Sequence, residues 1–387
     1  MPTERIYFDA NAGLPLGEEA RAALVDALGS ANPSSIHQEG RRARHLVEQA
    51  RASVAALAGA RAECVIFTSG ATEAAAQALS PVILDGKEER RVSALYAGAT
   101  EHPCVSSGGR IRTVRTRAIA VGRTGVVDLD ALDEALAGHD FDAGAPLVAL
   151  MLANNESGVI HPVAEAAAIA KSYGGYIFCD AVQAPGRMSI DIRALGVDFL
   201  SLSAHKMGGP QGAGALVLAN EGIRPAPLLT GGGQERRRRS GTENVPAIAG
   251  FGVAAAQAGH HIADAGRMRA LARRLEGGIR SVAPDAVIAG EGASRLPNTI
   301  LFAASGVPAE TAVIAFDLEG VAVSAGSACS SGKVVESHVL RAMGYGGETA
   351  RGGIRVSLPP TATEAEVDRF IEIWRAIHAR LLQTRAA

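Results

Sequence analysis

Ser201-Leu202-Ser203-Ala204-His205-Lys206-Met207-Gly208-Gly209 closes an apolar run with a lysine set among serine, histidine and glycine. The chain has only four lysines, Lys87, Lys171, Lys206 and Lys333, and the rest of its 38 basic residues are arginines. Lysine can lose its proton and form a Schiff base, which arginine cannot do. The plainer alternative is a surface lysine after a strand. Residues 199–203 read as a short buried strand, so Lys206 falls just past a strand's carboxyl end. In a helix-covered parallel sheet that is the edge where ligands bind.

Working outward, the chain alternates short apolar strands with helices. Strands are predicted at residues 64–67, 91–96, 111–115, 147–152, 176–179, 199–203 and 213–218. Helices are predicted at 17–29, 39–58, 129–137 and 163–173, with an alanine-rich one after Thr68-Ser69-Gly70-Ala71-Thr72-Glu73. Uniformly apolar strands of this kind belong in an α/β fold whose mostly parallel sheet is covered on both faces. A helical stretch over 245–282, broken near Gly259, leads into a tail of strands (286–289, 299–302, 354–358) and helices (309–317, 335–343, 364–384). That tail predicts a smaller α+β domain. The expected division is 14–257 for the large domain, with 1–13 and 258–387 forming the small one.

Composition narrows the classes. Apolar residues at 47% and charged residues at 20% suit a globular chain, and a net charge of −2 gives no global attraction to nucleic acid or membrane. No apolar stretch approaches the ~20 residues of a membrane span, and the first residues lack a signal-peptide core, so a cytoplasmic address is expected. Cys64, Cys104, Cys179 and Cys329 are scattered, without disulfide-framework or metal-ligand spacing, and no structural metal is expected. Residues 326–333 imitate a P-loop but hold five residues between their glycines, and Val334 follows where a Mg²⁺-binding hydroxyl belongs. The dinucleotide fingerprint and the hydrolase nucleophile elbow are also absent.

A Schiff-base lysine that holds pyridoxal phosphate needs particular company. Its phosphate needs a helix N-terminus and hydroxyls. Ser69-Gly70-Ala71-Thr72 supplies these, and Ser203 and His205 could close the other side, although Thr72 could equally belong to a capping box with Glu73. The pyridine nitrogen needs a carboxylate, and Asp180 ends the apolar run 176–179, a costly place for an unpaired charge. Gln183 could reach the phenolic oxygen. His102, in Thr100-Glu101-His102-Pro103, could stack on the ring or carry protons. Asn154-Asn155-Glu156-Ser157-Gly158 follows another strand at the same rim.

These residues, in this order, resemble the cysteine desulfurases, pyridoxal-phosphate enzymes of the class V aminotransferase superfamily with the type I fold. The likeness also takes in Tyr7-Phe8-Asp9, Asn32-Pro33-Ser34-Ser35-Ile36-His37, Arg239-Ser240-Gly241-Thr242-Glu243-Asn244 and Ser327-Ala328-Cys329, so it runs nearly end to end. The resemblance implies a seven-stranded sheet in the large domain and cofactor attachment at Lys206. It places Ala71, Thr72, Ser203 and His205 at the phosphate, Asp180 at the pyridine nitrogen, Gln183 and Asn155 at the phenolic oxygen, and His102 over the ring. Thr242 in such enzymes reaches the phosphate held by the other subunit, which implies a homodimer with shared active sites. Arg355 matches the arginine that clamps the substrate carboxylate, and its fork suits that task.

Cys329 decides the chemistry within that resemblance. It stands in Ser324-Ala325-Gly326-Ser327-Ala328-Cys329-Ser330-Ser331-Gly332, all small residues, where an exposed thiol invites oxidation unless it has a chemical use. In the family this cysteine takes sulfur from L-cysteine as a persulfide and delivers it to an acceptor protein for iron–sulfur clusters, nitrogenase maturation or tRNA thiolation. The residues leave open a selenocysteine lyase, another class V aminotransferase, or a low-turnover sulfur-relay component. Two departures bear on turnover: Ala10-Asn11-Ala12-Gly13-Leu14-Pro15 replaces a more polar family stretch, and Ala76 stands where an asparagine is common. The arginines at 236–239 read as a dimer-interface or solvated loop rather than a nucleic-acid patch.

Overall fold

The computed structural model describes residues 5–111, 115–326 and 336–386. Its large sheet runs, in spatial order, Arg115–Ile119, Glu88–Gly98, Ala145–Ala149, Tyr176–Asp180, Phe199–Ser203, Gly214–Leu218 and Val65–Thr68. All neighbours pair in parallel except at Gly214–Leu218, which is antiparallel to both of its partners. The sheet exceeds the expected seven strands. Val82–Asp85 pairs antiparallel with the first half of Glu88–Gly98, and Ile223–Pro225 adds beyond it, giving nine. Val82–Asp85 pairs with the exposed Glu88, Glu89, Arg90 and Arg91, and Ile223–Pro225 is only three residues long, so no apolar alternation marks either pairing. Of the strand expected at 111–115, residues 112–114 lie outside the described residues, and the described strand is Arg115–Ile119.

Alternation sorts the strand residues between two faces. Ile177, Cys179, Leu200 and Leu202 pack beneath helices Gln38–Ala58, Val163–Ser172 and Val245–His261. Tyr176, Phe178, Phe199 and Leu216 pack with helix Ala71–Ala78 on the other face. Helices Gln38–Ala58 and Val245–His261 approach almost backbone to backbone, since a Cβ on Gly252 would lie 2.5 Å from the Ala50 Cα.

A second core lies under a four-stranded antiparallel sheet, Val287–Ile288, Thr299–Ala303, Ile354–Ser357 and Ser324–Ala325. Helices Ala265–Val282, Ala309–Leu318 and Glu364–Ala386 cover it around the single tryptophan, Trp374, packed against Phe302 and Phe316. The N-terminus belongs with this core: Ile6–Tyr7 pairs with Val321–Ala322, and Phe8 stacks near Phe370. Residues 9–11 then run along Ser357, where Ala10 N–H donates to the Ser357 carbonyl and Asn11 N–H to its hydroxyl. That path delivers residues 11–14 to the carboxyl ends of the large sheet's strands.

Candidate active site

Lys206 lies in a single 3₁₀ turn, Ala204–Met207, directly after strand Phe199–Ser203. The turn ends at Gly208, whose positive φ of 83° suits glycine. The Lys206 Nζ donates to the carbonyls of Asn11 at 2.6 Å and Ala12 at 2.9 Å. Leu14 N–H donates to the His205 carbonyl at 2.9 Å, so the Gly13-Leu14 departure lies directly across the lysine turn. Burial, with Arg355 and Arg187 close by, brings the Lys206 amine down to about 8, against the pull of Asp9 and Asp180. The amine therefore exchanges its proton near neutrality, as a nucleophile or base must.

Asp180 is the last residue of strand Tyr176–Asp180 and is buried. Its Oδ1 accepts from the Val182 N–H at 3.0 Å and the Ser201 hydroxyl at 3.2 Å. Burial nonetheless pushes its carboxyl up, which marks it as a group awaiting a cation. His102 caps the short helix Pro103–Ser106, its Nδ1 accepting from the Cys104 N–H at 3.2 Å with the Cys104 Sγ 3.1 Å away. Its ring reaches solvent through the cavity, yet the surrounding walls desolvate it enough to hold it below the usual histidine range. That lowering favours the neutral ring, able to stack or pass a proton.

The helix Ala71–Ala78 begins at Gly70, which offers no side-chain cap, so its first turn opens to the cavity. The capping alternative for Thr72 is met by another residue: Glu73 accepts the Ser69 N–H at 2.8 Å and pairs with Arg239 at 2.8 Å. Across the cavity, Ser203 Oγ and His205 Nδ1 stand 2.9 Å apart. Burial, with the Lys206 charge adjacent, lowers His205 to about 4, leaving it neutral.

Arg355 comes from strand Ile354–Ser357 of the smaller sheet and is buried. Its Nη2 donates to Asp9 Oδ1 at 2.8 Å and its Nη1 to the Asn155 carbonyl at 3.3 Å, while Nε has no partner. Asn155 Oδ1 is likewise buried without a partner. Beside them Glu156 is fully buried, accepts the Ser337 hydroxyl at 2.6 Å, and is pushed by burial to about 7.

A cavity of about 720 Å³ brings together Lys206, Asp180, Gln183, His102, Asn155, Arg355, Ser203, His205, Ala71 and Thr72. Thr242 is exposed and does not line it, and Cys329 lies outside the described residues. Ala76 is also absent from its walls. A slightly larger groove of about 750 Å³ between helices Glu18–Asp26, Gln38–Ala58 and Val245–His261 holds none of these groups. Asn11, Glu156, Cys104 and His338 line the site as well, and Asp9 holds Arg355; none was assigned a site role from sequence. Asp9 and Asn11 carried a signal as polar residues just after a strand-like start, and Glu156 as part of the polar stretch 154–158 after a strand. The arginine loop is less solvated than expected: Arg238 pairs with Glu221, Arg239 with Glu73, and Glu235 with the buried Arg51.

The family model described as Aminotransferase class-V matches residues 6–370. The chain belongs to the class V aminotransferases. Among members of that family, a cysteine desulfurase of Cereibacter sphaeroides is 40% identical over 379 residues, 96% of this chain and 95% of that protein. Cysteine desulfurase 2 of Trichormus variabilis is 37% identical over 381 residues, covering 97% and 94%. The X-ray structure of a NifS-like protein from Rickettsia africae matches with a TM-score of 0.87 at 35% identity, covering 97% of this chain and all of that one. The cofactor of this class V chain is pyridoxal 5′-phosphate. The cavity fits that group chemically, with an amine close to neutral, a buried carboxylate without a cation, an open helix start and unpaired polar atoms on Arg355 and Asn155. Among the described residues no helix is long and apolar enough to cross a membrane.

Proposed function

We infer that this chain is a pyridoxal-phosphate-dependent cysteine desulfurase, converting L-cysteine to L-alanine and passing the sulfur through Cys329 to an acceptor protein. The observation that carries the reading is the Lys206 amine, brought down to about 8 in one cavity with Asp180, His102 and Arg355. Lys206 would hold the cofactor's aldehyde carbon, Asp180 its pyridine nitrogen, and Gln183 with Asn155 its phenolic oxygen. Ala71, Thr72, Ser203 and His205 would hold the phosphate, and His102 would cover the ring. When bound, the cofactor supplies an electron sink for charge developing at the substrate's Cα.

The chain's own groups do the rest. Arg355, with an unpaired Nε, and Asn155 bind the substrate carboxylate. Lys206 takes the Cα proton. The Cys329 thiolate then attacks the substrate sulfur: an S–S bond forms as the Cβ–S bond breaks, and its electron pair stays on carbon. That carbon takes a proton to become the methyl of alanine, leaving Cys329 one sulfur richer. The acceptor is a protein serving iron–sulfur cluster assembly or another thio-product.

A homodimer belongs to the same reading, because Thr242 is exposed away from its own cavity and would serve a second copy's phosphate. The division at 14–257, with 1–13 and 258–387 as the second unit, is supported by the two separate cores. Lys206→Ala is expected to lower alanine formation from L-cysteine by more than about a thousandfold. A Lys206→Ala protein that still held the cofactor as a covalent, borohydride-reducible adduct would refute the lysine's role.

A further inference from the structure

Arg187 is buried, and among the described residues it makes no ion pair. Its Nη1 donates to the Gln183 carbonyl at 2.8 Å and to Gln183 Oε1 at 2.5 Å, and its Nη2 to the Ala10 carbonyl at 3.3 Å. Asp264 and His261 line the small void on its other side, and neither pairs with it. Burial, with Arg355 adding like charge, lowers it to about 10. A guanidinium kept from water without a carboxylate is costly, so its use lies in what it holds.

It holds Gln183. A guanidinium has no acceptor, so only the amide oxygen can face it. The amide nitrogen is thereby turned the other way, where it donates to the Asn11 carbonyl at 3.1 Å. The same carbonyl accepts the Lys206 amine at 2.6 Å. Arg187 therefore stands at the buried end of a chain of contacts through Gln183 and Asn11 to Lys206.

We propose that Arg187 is a positioning residue, which fixes the Gln183 amide and, through the Asn11 carbonyl, the place and charge state of the Lys206 amine. Its charge acts with Arg355 from strand Ile354–Ser357 against protonation of Lys206, while Asp9 and Asp180 act for it, and His102 and His205 are the other titratable groups facing the amine. The proposal rests on the cofactor assignment of Lys206 and Gln183 made above.

The test uses holoenzyme of wild type, Arg187→Met and Arg187→Lys, with three readouts: the pH midpoint of the bound cofactor's visible absorbance, the cofactor's dissociation constant and the melting temperature. In Arg187→Met the midpoint is expected to rise by about half to one unit and cofactor affinity to fall by about tenfold. Melting temperature is expected to fall, because methionine leaves the Gln183 and Ala10 oxygens buried without their donor, and it reports that structural cost separately from the midpoint. Arg187→Lys is expected to keep the wild-type midpoint while losing affinity, since an ammonium lacks the planar fork. Wild-type midpoint and affinity in Arg187→Met would overturn the proposal, whatever the melting temperature. Should that variant fail to fold, Arg187→Gln removes the charge while keeping a donor for Gln183; an unmoved midpoint there is equally fatal. Wild-type protein that binds no cofactor at Lys206 would instead overturn the cofactor assignment itself, and this proposal with it.

Discussion

Lys206 owes its reactivity to neighbours far away in the chain. Its hydrogen-bond acceptors, the carbonyls of Asn11 and Ala12, accept a proton-bearing amine but do not neutralise it, so burial decides its charge. Above about pH 8 the amine is free, and below it the proton blocks attack on an aldehyde. The rate at which cofactor-free protein takes up pyridoxal phosphate is expected to rise with pH and level off above about 8, followed as visible absorbance. A rate flat from pH 6 to 9 would contradict this. Lys206 and Asp180 were legible as candidates from residue type and place after a strand, and Arg355 through the family resemblance; the structure puts all three on one cavity. What Asn11 and Arg187 do was not legible. Asn11 acts through its backbone carbonyl, which any residue possesses, and Arg187 is one of many arginines whose burial the sequence does not disclose.

Among the elements, those whose boundaries carry local chemistry were read closely. Helix Leu129–Ala137 matches its expected span because Asp128 caps it, accepting the Ala131 N–H at 3.0 Å, and its apolar stripe is regular. The added strands Val82–Asp85 and Ile223–Pro225 escaped because they are short, four and three residues, and the first pairs with the charged, exposed half of Glu88–Gly98. The close approach of Gln38–Ala58 and Val245–His261 also exceeds what periodicity can show, because it depends on Gly252 lacking a Cβ that would meet Ala50. Gly252→Ala is expected to destabilise the fold by about 1–3 kcal/mol, seen as a lower denaturation midpoint at unchanged slope. Equal stability would mean that the two helices separate at little cost.

For the whole molecule, the site sits where two cores meet: Lys206 and Asp180 come from the large sheet, Arg355 from the small one, and residues 9–12 pass between them. Alternating strands and helices and the tail's changed rhythm were legible in the sequence; the two-domain division drawn from them remains part of the proposal. The meeting of residues 195 positions apart, as in the contact from Lys206 to Asn11, is set by tertiary packing alone. The proposed homodimer, in which the exposed Thr242 would serve a second copy, is tested on the whole molecule. Sedimentation equilibrium is expected to give twice the 39.6 kDa chain mass, and a monomer with full activity would remove the shared-site reading. The central claim is that sulfur leaves the substrate onto Cys329. Protein mixed with L-cysteine without reductant, then digested and weighed by mass spectrometry, is expected to carry one added sulfur atom on the Cys329 peptide, with alanine released in equal amount. Alanine formed at the wild-type rate by Cys329→Ser, or the added sulfur found on Cys104 instead, would contradict it.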